Sequence, residues 1–257
     1  MKKMKAINIF SFISVAAMLP FSFCGSEAAR QETTSATGKG FAVVELFTSE
    51  GCSSCPPADE VMIKLSREFP DHVYFLGYHV DYWDYIGWKD EFAGTEYTKR
   101  QNRYAEVFSL TSIYTPQVIV NGEKELVGSR ENQLRTAIQE DLKGQVSSVI
   151  ELNAKKTNEE SITVSYKITG SENIILNIAL VQLKASSNVK RGENKGHQLN
   201  HINVVRELKT IAITKNVNDP VGLKIPPGLP AKDLKVIAFI QNDKNMKITG
   251  ATETAIQ

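Results

Sequence analysis

The chain reads as an α/β sandwich domain followed by a smaller all-β domain, antiparallel and sandwich-like, and three observations carry that reading. Over residues 40–144, apolar runs alternate with helical stripes in the order β-α-β-α-β-β-α. After residue 145 the period changes: Ile162, Val164, Tyr166 and Ile168, then Ile174, Leu176, Ile178 and Leu180, recur at every second position. Composition is ordinary for a globular protein, 42% hydrophobic and 23% charged over 257 residues, enough for one large or two smaller domains. A formal charge of +1 gives no reason to expect nucleic acid or an acidic membrane surface as a partner.

Residues 1–28 have the form of a signal peptide. Lys2, Lys3 and Lys5 precede an apolar run from Ile7 to Phe23, and small residues follow at Ser26 and Ala28. The run is short for a bilayer span, so no membrane span is expected in the mature form. Export to the periplasm or cell envelope is the expected outcome. Removing 1–28 takes three Lys and one Glu with it and leaves a net charge of −1. Phe23-Cys24-Gly25 is the alternative, a lipid anchor on Cys24, although such sites favour a small residue where Phe23 stands. Residues 29–39 are polar and small, a linker.

Phe41–Phe47 is nearly all apolar, as a central strand buried on both faces requires. Ala58, Val61, Met62, Leu65 and Phe69 then form a helical stripe, with Pro57 in the first turn and Pro70 as the stop. A second apolar strand spans His72–Val80, an aromatic loop 81–95, and a polar helix about Glu96–Phe108. Ile113–Val120 is a third strand, Asn121-Gly122 a hairpin turn into Lys124–Val127, and Glu131–Leu142 the closing helix. Residues 145–257 are assigned to the β-domain, with a long polar loop at Ser186–Asn200 and four prolines between Asn216 and Lys232.

The chemistry concentrates at Cys52 and Cys55. The pair lies between a strand and a helix, where unpaired backbone N–H groups and the helix dipole favour a thiolate, and a two-residue spacer lets one thiol attack a mixed disulfide on the other. If cleavage follows Ala28, these are the mature chain's two cysteines. Cys52, at the helix start, is expected to be the more exposed and the attacking thiol, with Cys55 resolving. A permanent local disulfide is the structural alternative, but so short a loop removes little unfolded-state entropy. Glu50, Asp59 and Glu60 surround the motif without a Lys or Arg in it, which argues for a less acidic thiol than in strongly oxidising relatives and leans towards a reductase or isomerase.

Residues 41–143 resemble the thioredoxin-like superfamily in element order, in the position of the CxxC and in the later Thr115-Pro116. The resemblance implies a cis-proline facing the cysteines, with Thr115 offering backbone hydrogen bonds to an extended partner chain. Four motifs more closely resemble the bacterial family DUF1223: residues 45–59 (ELFTSEGCSSCPPAD), 79–88 (HVDYWDYIGW), 114–122 (YTPQVIVNG), and the downstream Gly192-Glu-Asn with Asn203-Val-Val-Arg206. That family is exported and thioredoxin-like in its first part. Thioredoxins keep a buried acid that takes the proton of the resolving cysteine, and Glu45 stands near that place, one residue displaced. A buried ion pair with Lys or Arg is the equal alternative for Glu45.

Tyr82, Trp83, Tyr85 and Trp88 crowd the loop with Asp81, Asp84 and Gly87, a substrate-recognition surface or, as the alternative, core and lid packing. His79 with Cys52 and Cys55 could form a Cys₂His metal site, though copper-delivery relatives use CxxxC. His197 and His201 would meet only on a helix, and their segment reads as loop then strand. The sequence therefore predicts an exported thiol–disulfide oxidoreductase acting on protein or small-molecule disulfides, with a membrane redox partner, no cofactor and no resident metal. A metal-delivery module and a non-enzymatic envelope binding protein with a structural disulfide are the alternatives.

Overall fold

A computed structural model describes residues 38–170, 174–213 and 219–257, so the expected signal peptide, Cys24 and most of the expected linker lie outside the described residues. Strand β1 (Ala42–Thr48) is buried throughout. It pairs in parallel with β2 (Val73–His79) and antiparallel with β3 (Gln117–Val120), which continues to β4 (Lys124–Val127). Val44 and Leu46 pack under helices α1 (Pro56–Glu68) and α3 (Glu131–Asp141), while Val43 and Phe47 point to the other face, towards α2 (Thr95–Phe108). Burial on both faces is why this strand is an apolar run and not an alternation.

Two prolines, Pro56 and Pro57, open α1, where a missing N–H leaves no helical hydrogen bond unmade. Its inward face is Ala58, Val61, Met62 and Leu65, with the acid Asp59 buried among them. The aromatic segment is a 3₁₀ turn (Asp81–Ile86) closed by Gly87 at φ +93°. Helix α2 has an unusual buried stripe of Tyr97, Arg100, Gln101 and Tyr104. Strand β3 begins at Gln117, four residues later than expected, because the Thr115-Pro116 peptide is cis and Ile113 and Tyr114 lead into it outside the ladder. In the turn after β3, a Cβ on Gly122 would stand 1.9 Å from the Met246 carbonyl oxygen, so only glycine fits.

The rest of the chain forms strands β5 (Val149–Asn158), β6 (Ser161–Thr169), β7 (Ile174–Asn188), β8 (Gln198–Ile213), β9 (Val221–Lys224), β10 (Leu234–Asn242) and β11 (Ile248–Ala255). Strands β5, β6 and β9 make a small antiparallel sheet. The others extend the first sheet into eight strands, ordered β11-β10-β7-β8-β2-β1-β3-β4. The join is parallel, at Gly77 and Val204. Residue 145 thus marks a change of architecture and not an edge of the sheet. One apolar cluster unites Phe47, Tyr78 and Tyr104 with Val205, Phe239 and Met246, and a second stacks the small sheet on β7 and β10 through Leu152, Val164, Ile178 and Val236.

Two expectations for this region are corrected. The long polar loop is a hairpin: β7 runs to Asn188 and β8 starts at Gln198, leaving residues 189–197 as the tip. There the ladder continues through mostly polar residues, so backbone pairing persists where apolar alternation has ended, with Val189 and Leu199 still buried. The proline-rich stretch also contains β9, whose four residues are too few to show a period. Among the described residues no helix is long and apolar enough to cross a membrane.

Candidate dithiol site

Cys55 caps α1 and Cys52 stands in the turn before it, linked by the Cys55 N–H donating to the Cys52 carbonyl at 3.2 Å. Both are free thiols, and both are buried at 1% exposure, so the expected exposure of Cys52 is corrected. Cys52 Sγ lies 3.2 Å from the Ser54 hydroxyl and 3.9 Å from the Thr115 carbonyl oxygen. The cis Thr115-Pro116 segment therefore faces Cys52. Trp83 Nε1–H donates to Thr115 Oγ1 at 2.8 Å, which leaves the threonine proton free to turn to the sulfur.

The two thiols differ sharply. A hydrogen bond from Cys55 outweighs the burial that opposes charge, and with the Ser54 and Thr115 hydroxyls it lowers the Cys52 thiol to about 6. Burial, and then the negative character of Cys52, push Cys55 far upward. The neighbouring acids do not prevent this lowering, because each is exposed or partnered. Glu60 is exposed. Asp59 accepts from His201 Nδ1 at 3.0 Å and from the Thr48 hydroxyl at 3.2 Å. Glu50 accepts from Trp88 Nε1 at 2.7 Å and lies 3.5 Å from His201 Nε2. Burial opposes charge on His201, but the two carboxylates prevail and raise it to about 10.

The hairpin tip completes the site from 142 residues away. Asn194 Nδ2 donates to the Glu50 and Cys52 carbonyls, both at 2.9 Å, and the Ser53 N–H donates to the Glu193 carboxylate at 3.0 Å. Sequence reasoning did not assign Asn194 or Thr48 to the site and considered His201 only with His197, which is exposed at the tip. The signal was present in the Gly192-Glu-Asn motif, which these contacts explain.

Glu45 is elsewhere. It occupies the α2 face of β1, opposite α1, in a two-pronged ion pair with Arg100 at 2.5 and 2.9 Å and a hydrogen bond from Tyr104 at 2.5 Å. The ion pair is the role the geometry gives it. Of the aromatic residues, Trp83 and Trp88 turn their indole N–H groups inward, Tyr82 is half-buried, and Tyr85 is 82% exposed. His79 pairs with Asp90 at 2.7 Å and stacks edge-on to His201 at 4.7 Å. Among the described residues no group of three His, Cys, Asp or Glu side chains is arranged to hold a metal.

A mixed α/β scaffold of eight- and three-stranded sheets thus presents a thiol pair at a helix start, closed over by a distant hairpin. The chain belongs to DUF1223, a family described as proteins of unknown function, whose model matches residues 43–241. It is similar to an X-ray structure of an Agrobacterium tumefaciens protein, with 28% identity, a TM-score of 0.60 and coverage of 82% of this chain and 92% of that one. It shares its fold with HBP35 of Porphyromonas gingivalis, at 19% identity and a TM-score of 0.56, over 85% of this chain and 76% of that one. No curated protein sequence matches the chain.

Proposed function

We propose that the protein is an exported thiol–disulfide oxidoreductase whose residues 40–144 form a thioredoxin-like unit. The observation that carries this reading is the asymmetry of the thiol pair: Cys52 lowered to about 6 and facing Thr115, Cys55 raised and one turn deeper. The helices on both faces of β2-β1-β3-β4 and the cis Thr115-Pro116 bond support the thioredoxin-like reading. The form of residues 1–28 supports export to the periplasm or envelope.

In the reaction, the Cys52 thiolate attacks one sulfur of a client disulfide and expels the other as a thiolate, which takes up a proton. Cys55 then loses its proton and attacks Cys52 Sγ, expelling the second client thiolate. The client gains two electrons, and the protein is left with a Cys52–Cys55 disulfide for an external dithiol to reduce. Tyr85 stands exposed on the 3₁₀ turn whose Trp83 supports Thr115, and is the side chain offered to a client. The test is reduction of insulin by dithiothreitol, comparing wild type with Cys52→Ser and Cys55→Ser. Wild type is expected to accelerate precipitation; equality with the double variant refutes the reading.

A further inference from the structure

The carboxylates nearest the dithiol are held from the far end of the sequence. Asp59 lies one helical turn beyond Cys55, its N–H donating to the Cys55 carbonyl at 3.3 Å, and Glu50 stands two residues before Cys52. Negative charge at these places acts against a thiolate. Both carboxylates converge on one imidazole, His201 of β8, at 3.0 and 3.5 Å, and all three side chains are buried to nine-tenths or more.

We infer that His201 is a positioning residue of the dithiol: by gathering Asp59 and Glu50 into one buried cluster it offsets their charge and sets the redox potential of the Cys52–Cys55 couple. The inference rests on the oxidoreductase reading and gives the second half of the chain its part in it. The surroundings of His201 fit this role. From α1 it pairs with Asp59, and from the β1–α1 loop with Glu50. From β2 it meets the edge of His79, whose other partner is Asp90, and from the following loop the ring of Phe92. Arg206 lies over that Phe92 ring, 4.9 Å from its centroid. Trp88 and Thr48 donate hydrogen bonds to the two carboxylates, and His201 is the group that brings a countercharge. Its state is consistent, since the carboxylates raise it to about 10 against the cost of burial.

The test reads the free protein, so it does not depend on turnover. Thiolate absorbance and alkylation rate of reduced wild type, His201→Gln and Asp59→Asn are followed against pH, and each couple is equilibrated with glutathione. Glutamine keeps a donor for Asp59 and removes the charge. The expected result is opposite signs: His201→Gln raises the Cys52 titration by about one pH unit and Asp59→Asn lowers it by a similar amount, the scale of one nearby unit charge in a partly polarisable interior. At pH 7, His201→Gln then moves the equilibrium roughly fivefold towards the disulfide, because a less stable thiolate makes the reduced form less stable. Should His201→Gln fail to fold, Glu50→Gln replaces it and must shift the titration downward, as Asp59→Asn does. Shifts of the same sign in His201→Gln and Asp59→Asn, or none while both lower the melting temperature alike, overturn the inference. Insulin reduction that fails in wild type while the opposite shifts persist overturns the oxidoreductase reading alone.

Discussion

Cys52 and His201 titrate on opposite sides of neutrality, and their effects on stability have opposite signs. Cys52 is an acid lowered to about 6, so its contribution to the reduced protein is present above the ordinary thiol range near 8.5 and is lost as pH falls through about 6. His201 is a base raised to about 10; its contribution is complete below about 6.5 and is lost as pH rises through about 10. Wild-type melting temperature alone would blur the two. The difference between reduced wild type and Cys52→Ser is expected to grow from pH 6 to 8.5, and that between wild type and His201→Gln to shrink over the same interval and beyond it, both measured by calorimetry. Trp83→Phe removes the donor that orients Thr115 and is expected to slow iodoacetamide alkylation of Cys52 at pH 6.5 about two- to fivefold, the loss of one modest hydrogen bond. Cys52, Cys55, Thr115 and Pro116 were legible in the sequence because a local motif marks each. His201 and Asn194 were harder to place, since their partners lie 142 residues away: a lone His on a strand carries no pattern, and Gly192-Glu-Asn marks the tip without naming what it meets.

At the scale of elements, α2 explains why Glu45 misled. An acid in an apolar strand announces that something must satisfy it, but not what. Arg100 does so, with Gln241 of β10 accepting from the same guanidinium at 3.2 and 3.3 Å and Tyr104 bridging the two strands. Arg100→Met strands the Glu45 carboxylate beneath α2 and is expected to cost about 3–5 kcal/mol in urea unfolding. Replacing Glu45 and Arg100 together by Gln and Met is expected to restore part of that loss. A double variant no more stable than Arg100→Met would assign the cost to lost packing around the guanidinium, which lies over the Tyr78, Tyr104 and Phe239 rings. The helices and the buried strands were readable from period and punctuation. The ends of β7 and β8 were not, because they pair through mostly polar residues that show no apolar alternation.

The whole molecule is organised by one sheet, and this limits how it can be divided. Cutting after residue 144 leaves β2 as an open edge at Gly77 and uncovers the cluster that joins Phe47, Tyr78 and Tyr104 to Val205 and Phe239. A 38–144 fragment is therefore expected to bind a hydrophobic dye and to lack a cooperative thermal transition, checked by fluorescence and near-ultraviolet circular dichroism. A sharp transition equal to that of the full chain would show the cluster to be dispensable. The sequence made two regions visible through their different periods but not their shared sheet, since the single parallel pairing between β2 and β8 leaves no periodic trace.

The hairpin tip has a consequence in time as well as in space. Cys52 leaves the ribosome 142 residues before the asparagine that will hold its carbonyl. At roughly 5–20 residues per second that separation lasts on the order of ten seconds. During that interval the two thiols exist without Asn194, without His201 and without a folded helix to lower either of them. The nascent chain is thus an ordinary dithiol, open to whatever oxidant its compartment supplies, and its distinctive reactivity is acquired only when the last third of the protein arrives.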